Sequence, residues 1–420
     1  MNELKTTILF GVTAVVLAAA AMVIDPGAAT PEVFSDQGEL FYADFTDPQA
    51  PKAIEVVDYD EATAMARPLK VEFADGKWRV PSHFNYPADA ENRLADTAAA
   101  LMELRKDAIV SDRVEEHSDY GVIDPFAEGE LSLEGRGKRV TLKDENGTTL
   151  ADFIVGEKVE GKPNRRYMRV PTQKRVYEVE TSANVSAKFE DWIETDLLKI
   201  ASGDIRRVLV NRYSINERLG RLENQERLTL TKKDDKWTMS GGGTPDTSKM
   251  NDLTGALDSL KIVDVQRKPE NLTTDLKTTK GINPSRASLM SLQQKGFFMT
   301  QQGLLSNEGE ITVDAKNGLR YTLRFGEIAS SGPGGGNAGG SAEGDDEGER
   351  RYLFITVDYS AARAKQYNDG KEPDAADKEL ADELRNRFAD WYYVISGADF
   401  NKLRPRRQDL RGRSQKVNKP

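Results

Sequence analysis

Cysteine is absent from the 420 residues and histidine occurs twice. The first absence removes disulfides, thiolate zinc sites and cysteine nucleophiles together, and leaves the redox compartment open. The second leaves His83 and His117 as the sole imidazoles, too few for a histidine-rich zinc site. Both fall among polar turn residues, so they read as surface side chains without a role. Positive charge is short as well, with 59 Lys and Arg against 69 Asp and Glu for a net −10. Residues 401–420 hold eight of those cations and one acid, so the rest of the chain stands near −17. An acidic body lacks the converging cations that a nucleic acid backbone requires, which argues against a nucleic acid partner.

Long apolar runs are equally scarce, and the one present lies at residues 8–24 (ILFGVTAVVLAAAAMVI). At about 1.5 Å per residue it reaches roughly 25 Å, the short end of a membrane-spanning helix. Lys5 precedes it while Asp25, Glu32 and Asp36 follow, which keeps residues 1–7 in the cytoplasm and places the body on the extracytoplasmic, periplasmic side. Ala18-Ala19-Ala20 also suits a cleaved signal peptide, and either reading exports the body. Residues 25–47 then read as a spacer.

Compared with itself, the chain repeats a set of landmarks in order. Asp75-Gly76-Lys77-Trp78 matches Asp234-Asp235-Lys236-Trp237, a polar turn delivering Trp into a short strand. Leu94, Leu101 and Leu104 share a helix face, and Met250, Leu257 and Leu260 repeat that spacing. Gly121-Val122-Ile123-Asp124-Pro125 is paired with Gly281-Ile282-Asn283-Pro284, and the strand end Gly156-Glu157 with Gly326-Glu327. Arg166-Tyr167-Met168 matches Arg351-Tyr352-Leu353, and Phe189-Glu190-Asp191-Trp192 matches Phe388-Ala389-Asp390-Trp391. Asn146-Gly147 and Asn317-Gly318 are hairpin signals between alternating strands. The expected fold is α+β: a transmembrane helix, then two tandem modules, 48–200 and 204–400, each an antiparallel sheet with helices packed on it. A glycine-rich insertion at 330–349 and a basic tail at 401–420 read as disordered.

The Lys-Trp strand, the helix, the Tyr120-Gly121 to Pro125 loop, the Gly156-Glu157 strand end and the Tyr167 strand resemble a bacterial family, domain of unknown function 4340. That resemblance implies a single-pass envelope protein of the kind encoded beside ABC transporters of the gliding-motility type. It implies an accessory or ligand-binding role, and brings no catalytic residues to carry over.

Candidate chemistry is thin. Residues 156–162 have the glycine and lysine spacing of a phosphate loop, but Pro163 stands where a magnesium-binding hydroxyl belongs and strands follow. Residues 334–339 fit a dinucleotide fingerprint only through low complexity, and Asp345-Asp346-Glu347 lacks the fixed surroundings of a calcium site. Recurrence of the tryptophans favours core packing over a sugar platform. No catalytic, cofactor-binding or metal-binding residue is therefore assigned. The expectation is a non-enzymatic binding or accessory component of an envelope or ABC-transporter-type assembly. A membrane protein is its expected partner, and the basic tail is suited to anionic lipids or envelope polymers. The alternatives are a carboxylate-dependent hydrolase of envelope polymers and a structural spacer.

Overall fold

The computed structural model describes residues 36–411 apart from 128–132, 184, 217, 220, 271, 273–275, 277–283, 301–302, 330–348 and 369. The expected transmembrane segment, residues 25–35 of the spacer, nearly all of the glycine-rich insertion and residues 412–420 lie outside the described residues. Among those described, no helix is long and apolar enough to cross a membrane.

The architecture is α+β, with antiparallel sheets. The N-terminal half supplies β1 (Ala53–Asp60), β2 (Met65–Ala74), β3 (Lys77–Val80), β4 (Tyr86–Pro87), helix α1 (Glu91–Met102), β5 (Ala108–Ser111), β6 (Lys138–Lys143), β7 (Thr149–Lys158), β8 (Arg165–Arg169) and β9 (Val176–Glu180). Its sheet runs β4-β3-β2-β1-β6-β7-β8-β9-β5. The C-terminal half supplies β10 (Ile205–Asn216), β11 (Arg221–Lys233), β12 (Lys236–Met239), α2 (Thr247–Asp258), β13 (Asp264–Arg267), α3 (Arg286–Gln294), the hairpin β14 (Phe297–Thr300) and β15 (Gly303–Ser306), then β16 (Glu310–Ala315), β17 (Leu319–Ile328), β18 (Arg351–Tyr359), α4 (Ala361–Tyr367), α5 (Ala375–Ala389), β19 (Trp391–Ile395) and α6 (Gly397–Leu403). Its main sheet runs β12-β11-β10-β16-β17-β18-β19-β13. Read in chain order, the two sheets follow one path, except that the second has no counterpart of β4.

Local chemistry explains the shared elements. Two-residue hairpins need positive φ at both central positions, and Asp75 and Gly76 (+55°, +75°) and Asp234 and Asp235 (+48°, +57°) take them up. The longer β6–β7 and β16–β17 connections each place one glycine, Gly147 or Gly318, at positive φ (+81° and +83°). Helix α1 buries Leu94, Ala98 and Leu101, and α2 buries Met250, Leu253 and Leu257. Asp246 caps α2 by accepting from the Lys249 N–H at 3.1 Å.

Both halves contribute to one continuous apolar core. Tyr86 of β4 packs edge-on against Trp391 at 5.0 Å and Phe189 at 5.5 Å. Around that contact, Lys199 meets Glu383 at 2.8 Å, Arg387 donates to the Asp196 carbonyl at 2.8 Å, and the Ser202 N–H donates to Asp258 at 2.8 Å.

Several landmarks land elsewhere than the self-comparison places them. Phe189–Trp192 is a 3-10 turn after β9, whereas Phe388 ends α5 and Trp391 opens β19, the counterpart of β9, so the two motifs are not equivalent. The structural partner of Tyr120-Gly121 is Lys295-Gly296: the Glu157 N–H donates to the Tyr120 carbonyl at 3.1 Å and the Glu327 N–H to the Lys295 carbonyl at 2.9 Å. Helix α3 intervenes and displaces the match by fifteen residues from Gly281, which lies outside the described residues.

The supposed spacer is part of the body from residue 36 onward. Phe41 packs on Phe153 and Tyr177, Tyr42 on Phe153, and Phe45 is buried. The basic tail also starts late, because Lys402 and Leu403 complete α6 and Leu410 is buried in the core. Its cations have local partners: Arg404 meets Glu308 at 2.8 Å and Arg407 donates to the Ser240 carbonyl.

Candidate functional site at the junction of the halves

Three groups shifted by burial, His83, Glu190 and Asp264, lie where the halves meet. After β3 the chain makes a 3-10 turn, Pro81–His83, and then doubles back through Phe84 and Asn85 at φ +58° and +60°. This return presses the His83 ring flat on Phe189, with centres 4.4 Å apart and planes 15° from parallel. Its Nδ1 lies 3.1 Å from Ser82 Oγ, and its Nε2 lies 3.7 Å from Asp264 Oδ1 across the junction.

Asp264 opens β13, where the pleat sends Val265 into the main core and Asp264 to the opposite face. It is 2 % exposed and accepts the Val265 N–H at 2.7 Å. Burial pushes its carboxyl up to about 7, against the pull of that N–H, of Arg350 and of Gln266. Burial lowers the His83 imidazole to about 4. Glu190, one residue after Phe189, is likewise raised by burial.

The same face of the second sheet carries Tyr352 and Tyr392, with ring centres 5.9 Å apart. Tyr392 joins a smaller apolar cluster that includes Leu292 of α3 and Phe297 and Leu304 of the β14–β15 hairpin. Lys295 Nζ sits 5.5 Å from the Tyr392 ring centre and donates to Ser291 Oγ at 2.7 Å, and burial lowers its pKa.

Ser82, His83 and Asp264 stand in line and are the residue types of a hydrolase triad, yet the line is not wired as one. The 3.7 Å gap to Asp264 exceeds the 2.7–3.2 Å of an N–H···O bond. A triad acid must be charged to stabilise the imidazolium, and this carboxyl favours its neutral form below about pH 7. The arrangement holds a proton inside a packed junction. His83 is thus not the idle surface residue expected from its polar neighbours. Nor is His117, which is buried with Nε2 2.7 Å from the Lys174 carbonyl.

The remaining motifs settle simply. Residues 156–158 end strand β7, Lys162 is engaged by Glu178 at 2.8 Å, and β8 follows, so residues 156–162 form no phosphate loop. Residues 334–339 and 345–347 lie outside the described residues. Trp78 and Trp237 occupy equivalent strands β3 and β12 but are half-buried, while Trp192 and Trp391 are buried. Sequence reasoning missed Arg169, which is buried and donates to the Val122 carbonyl at 3.0 and 2.9 Å and to the Gln173 carbonyl at 2.9 Å. Its counterpart in β18 is Phe354, packed on Phe297 at 4.7 Å, and that apolar counterpart was the available signal.

Residues 78–280 match the family model described as a domain of unknown function, DUF4340. The DUF4340 match opens at Trp78 in β3 and crosses the junction, so it takes in His83, Glu190 and Asp264. It also covers β3 from Trp78 onward, the loop at Tyr120-Gly121 and the Gly156-Glu157 strand end, which carry the resemblance. No curated protein and no solved structure matches the chain.

Proposed function

We propose that the chain is a membrane-tethered, extracytoplasmic binding or accessory protein, non-enzymatic, whose two halves are copies of one DUF4340-type module acting as a single rigid body. The tether is the apolar segment at residues 8–24, and the partner is a membrane protein of an envelope, ABC-transporter-type assembly. The observation that carries the reading is the filled junction. Tyr86, Phe189, Trp391 and the neutral-leaning His83–Asp264 pair occupy the place where a hinged two-domain enzyme keeps its cleft. A body fused through its core presents a fixed surface, which suits docking to a partner.

Affinity purification of the full-length chain from detergent-solubilised membranes, after mild crosslinking, tests this. The expected result is recovery of an integral membrane protein in constant ratio with the chain. Repeated recovery of the chain alone, or in the soluble fraction with no membrane association, overturns it.

A further inference from the structure

The two sheets differ over one pair of equivalent strand positions. In the second, Arg351 of β18 donates to the Gly326 carbonyl, and Phe325 of β17 pairs across the strands with Leu353. The space over these three residues is filled by Phe400 of α6. Its ring meets Phe325 edge-on at 5.3 Å and lies 4.5 Å from the Arg351 guanidinium carbon.

The first sheet has the same framework. Arg166 of β8 donates to the Gly156 carbonyl at 3.0 Å, and Val155 of β7 pairs with Met168. Among the described residues no ring arrives here: the segment after β9 offers Thr181, Ala183 and Val185, and a hollow of ≈ 60 Å³ remains between them, Leu101 and Arg166. A cavity that encloses benzene measures about 150 Å³, so this open hollow seats the leading part of a ring rather than enclosing it.

We propose that this hollow is a socket for an aromatic side chain presented by a partner protein, the place taken in the second half by the chain's own Phe400. An apolar floor of Val155, Met168 and Leu101 suits the ring edge, and Arg166 supplies the cation that ring faces attract. Lys138, which also lines the hollow, is already engaged by Asp58 at 3.6 Å and by the Val185 carbonyl at 3.3 Å. The socket deepens the partner-binding reading and rests on it for its natural occupant.

The probe is a fluorescent peptide of the α6 sequence, residues 396–404 (SGADFNKLR), titrated into the full chain beside a version with Ala in place of Phe. Saturable binding is expected for the first, at least tenfold weaker for the second, and at least tenfold weaker again when Ala183→Phe fills the hollow. Arg166→Gln is expected to weaken it severalfold. Equal affinity of the two peptides, no saturable binding, or undiminished binding to Ala183→Phe overturns the socket. If circular dichroism shows Ala183→Phe unfolded, Arg166→Gln decides, and unchanged affinity there overturns it. Failure of the peptide with a membrane partner still recovered rejects the socket and leaves the broader reading standing.

Discussion

His83 and Asp264 give up their charges in opposite directions when the junction closes. Folded Asp264 titrates at about 7 against 3.8 in the open chain, so it keeps a proton that the unfolded state has released. Alone, it would stabilise the fold at low pH and lose that contribution as pH rises from about 4 to about 7. Folded His83 titrates at about 4 against 6.5, so alone it would lose stability as pH falls from about 6.5 to 4. Together, folding passes one proton from His83 to Asp264 without net uptake, and the junction is nearly insensitive to pH across that range. Single substitutions uncover the slopes. His83→Gln is expected to lose roughly 4 kcal/mol between pH 4 and 7 as pH rises, and Asp264→Asn roughly 3 kcal/mol as pH falls from 6.5 to 4. Urea unfolding of both variants across the range checks this, and slopes of the same sign would contradict it. Neither shift was legible in the sequence, because the two residues lie far apart in the chain and only the fold removes their water. The tryptophans show the same limit: the turn before Trp78 and Trp237 fixes their strands, but half-burial follows from the short strands that carry them.

Among elements, the Gly-Glu end of β7 and β17 is the feature that sequence comparison located best. A Cβ on Gly156 would lie 2.3 Å from the Tyr120 carbonyl oxygen, and one on Gly326 would lie 2.2 Å from that of Lys295. Neither glycine needs a positive φ; close approach of backbone excludes any side chain. Gly326→Ala is therefore expected to cost about 1–3 kcal/mol, measurable as a lower melting temperature with the fold retained. Hairpin turns were equally legible, since Asp-Gly and Asn-Gly pairs carry their geometry locally. Connections between strands were not. Helix α3 lies between Asp264 and Gly296, and Gly281 offered a nearer but false partner for Gly121. Phe388 to Trp391 imitates Phe189 to Trp192 in composition while straddling the boundary between α5 and β19.

At the scale of the whole molecule, a core continuous across both halves predicts one cooperative unfolding transition. Calorimetry of the full chain is expected to give a single endotherm, and two resolved transitions would mean that the junction yields before the sheets. Modular order was readable because the apolar faces of α1 and α2 share one register. The fusion was not, since Tyr86 belongs to β4, which has no counterpart in the second sheet, and its contact with Trp391 at the start of β19 exists only in the folded chain.

The N-terminal entry to the body has a mechanical side. Asp36 is gripped by Tyr177 at 2.6 Å, Arg175 at 3.0 Å and Lys106 at 3.2 Å, and Phe41 and Tyr42 wedge against the sheet just behind it. Tension arriving from the preceding chain is met first by those bonds and spread over β9 and the end of the α1 connection. A load applied there shears several contacts at once, so the body resists being peeled strand by strand from its leading edge.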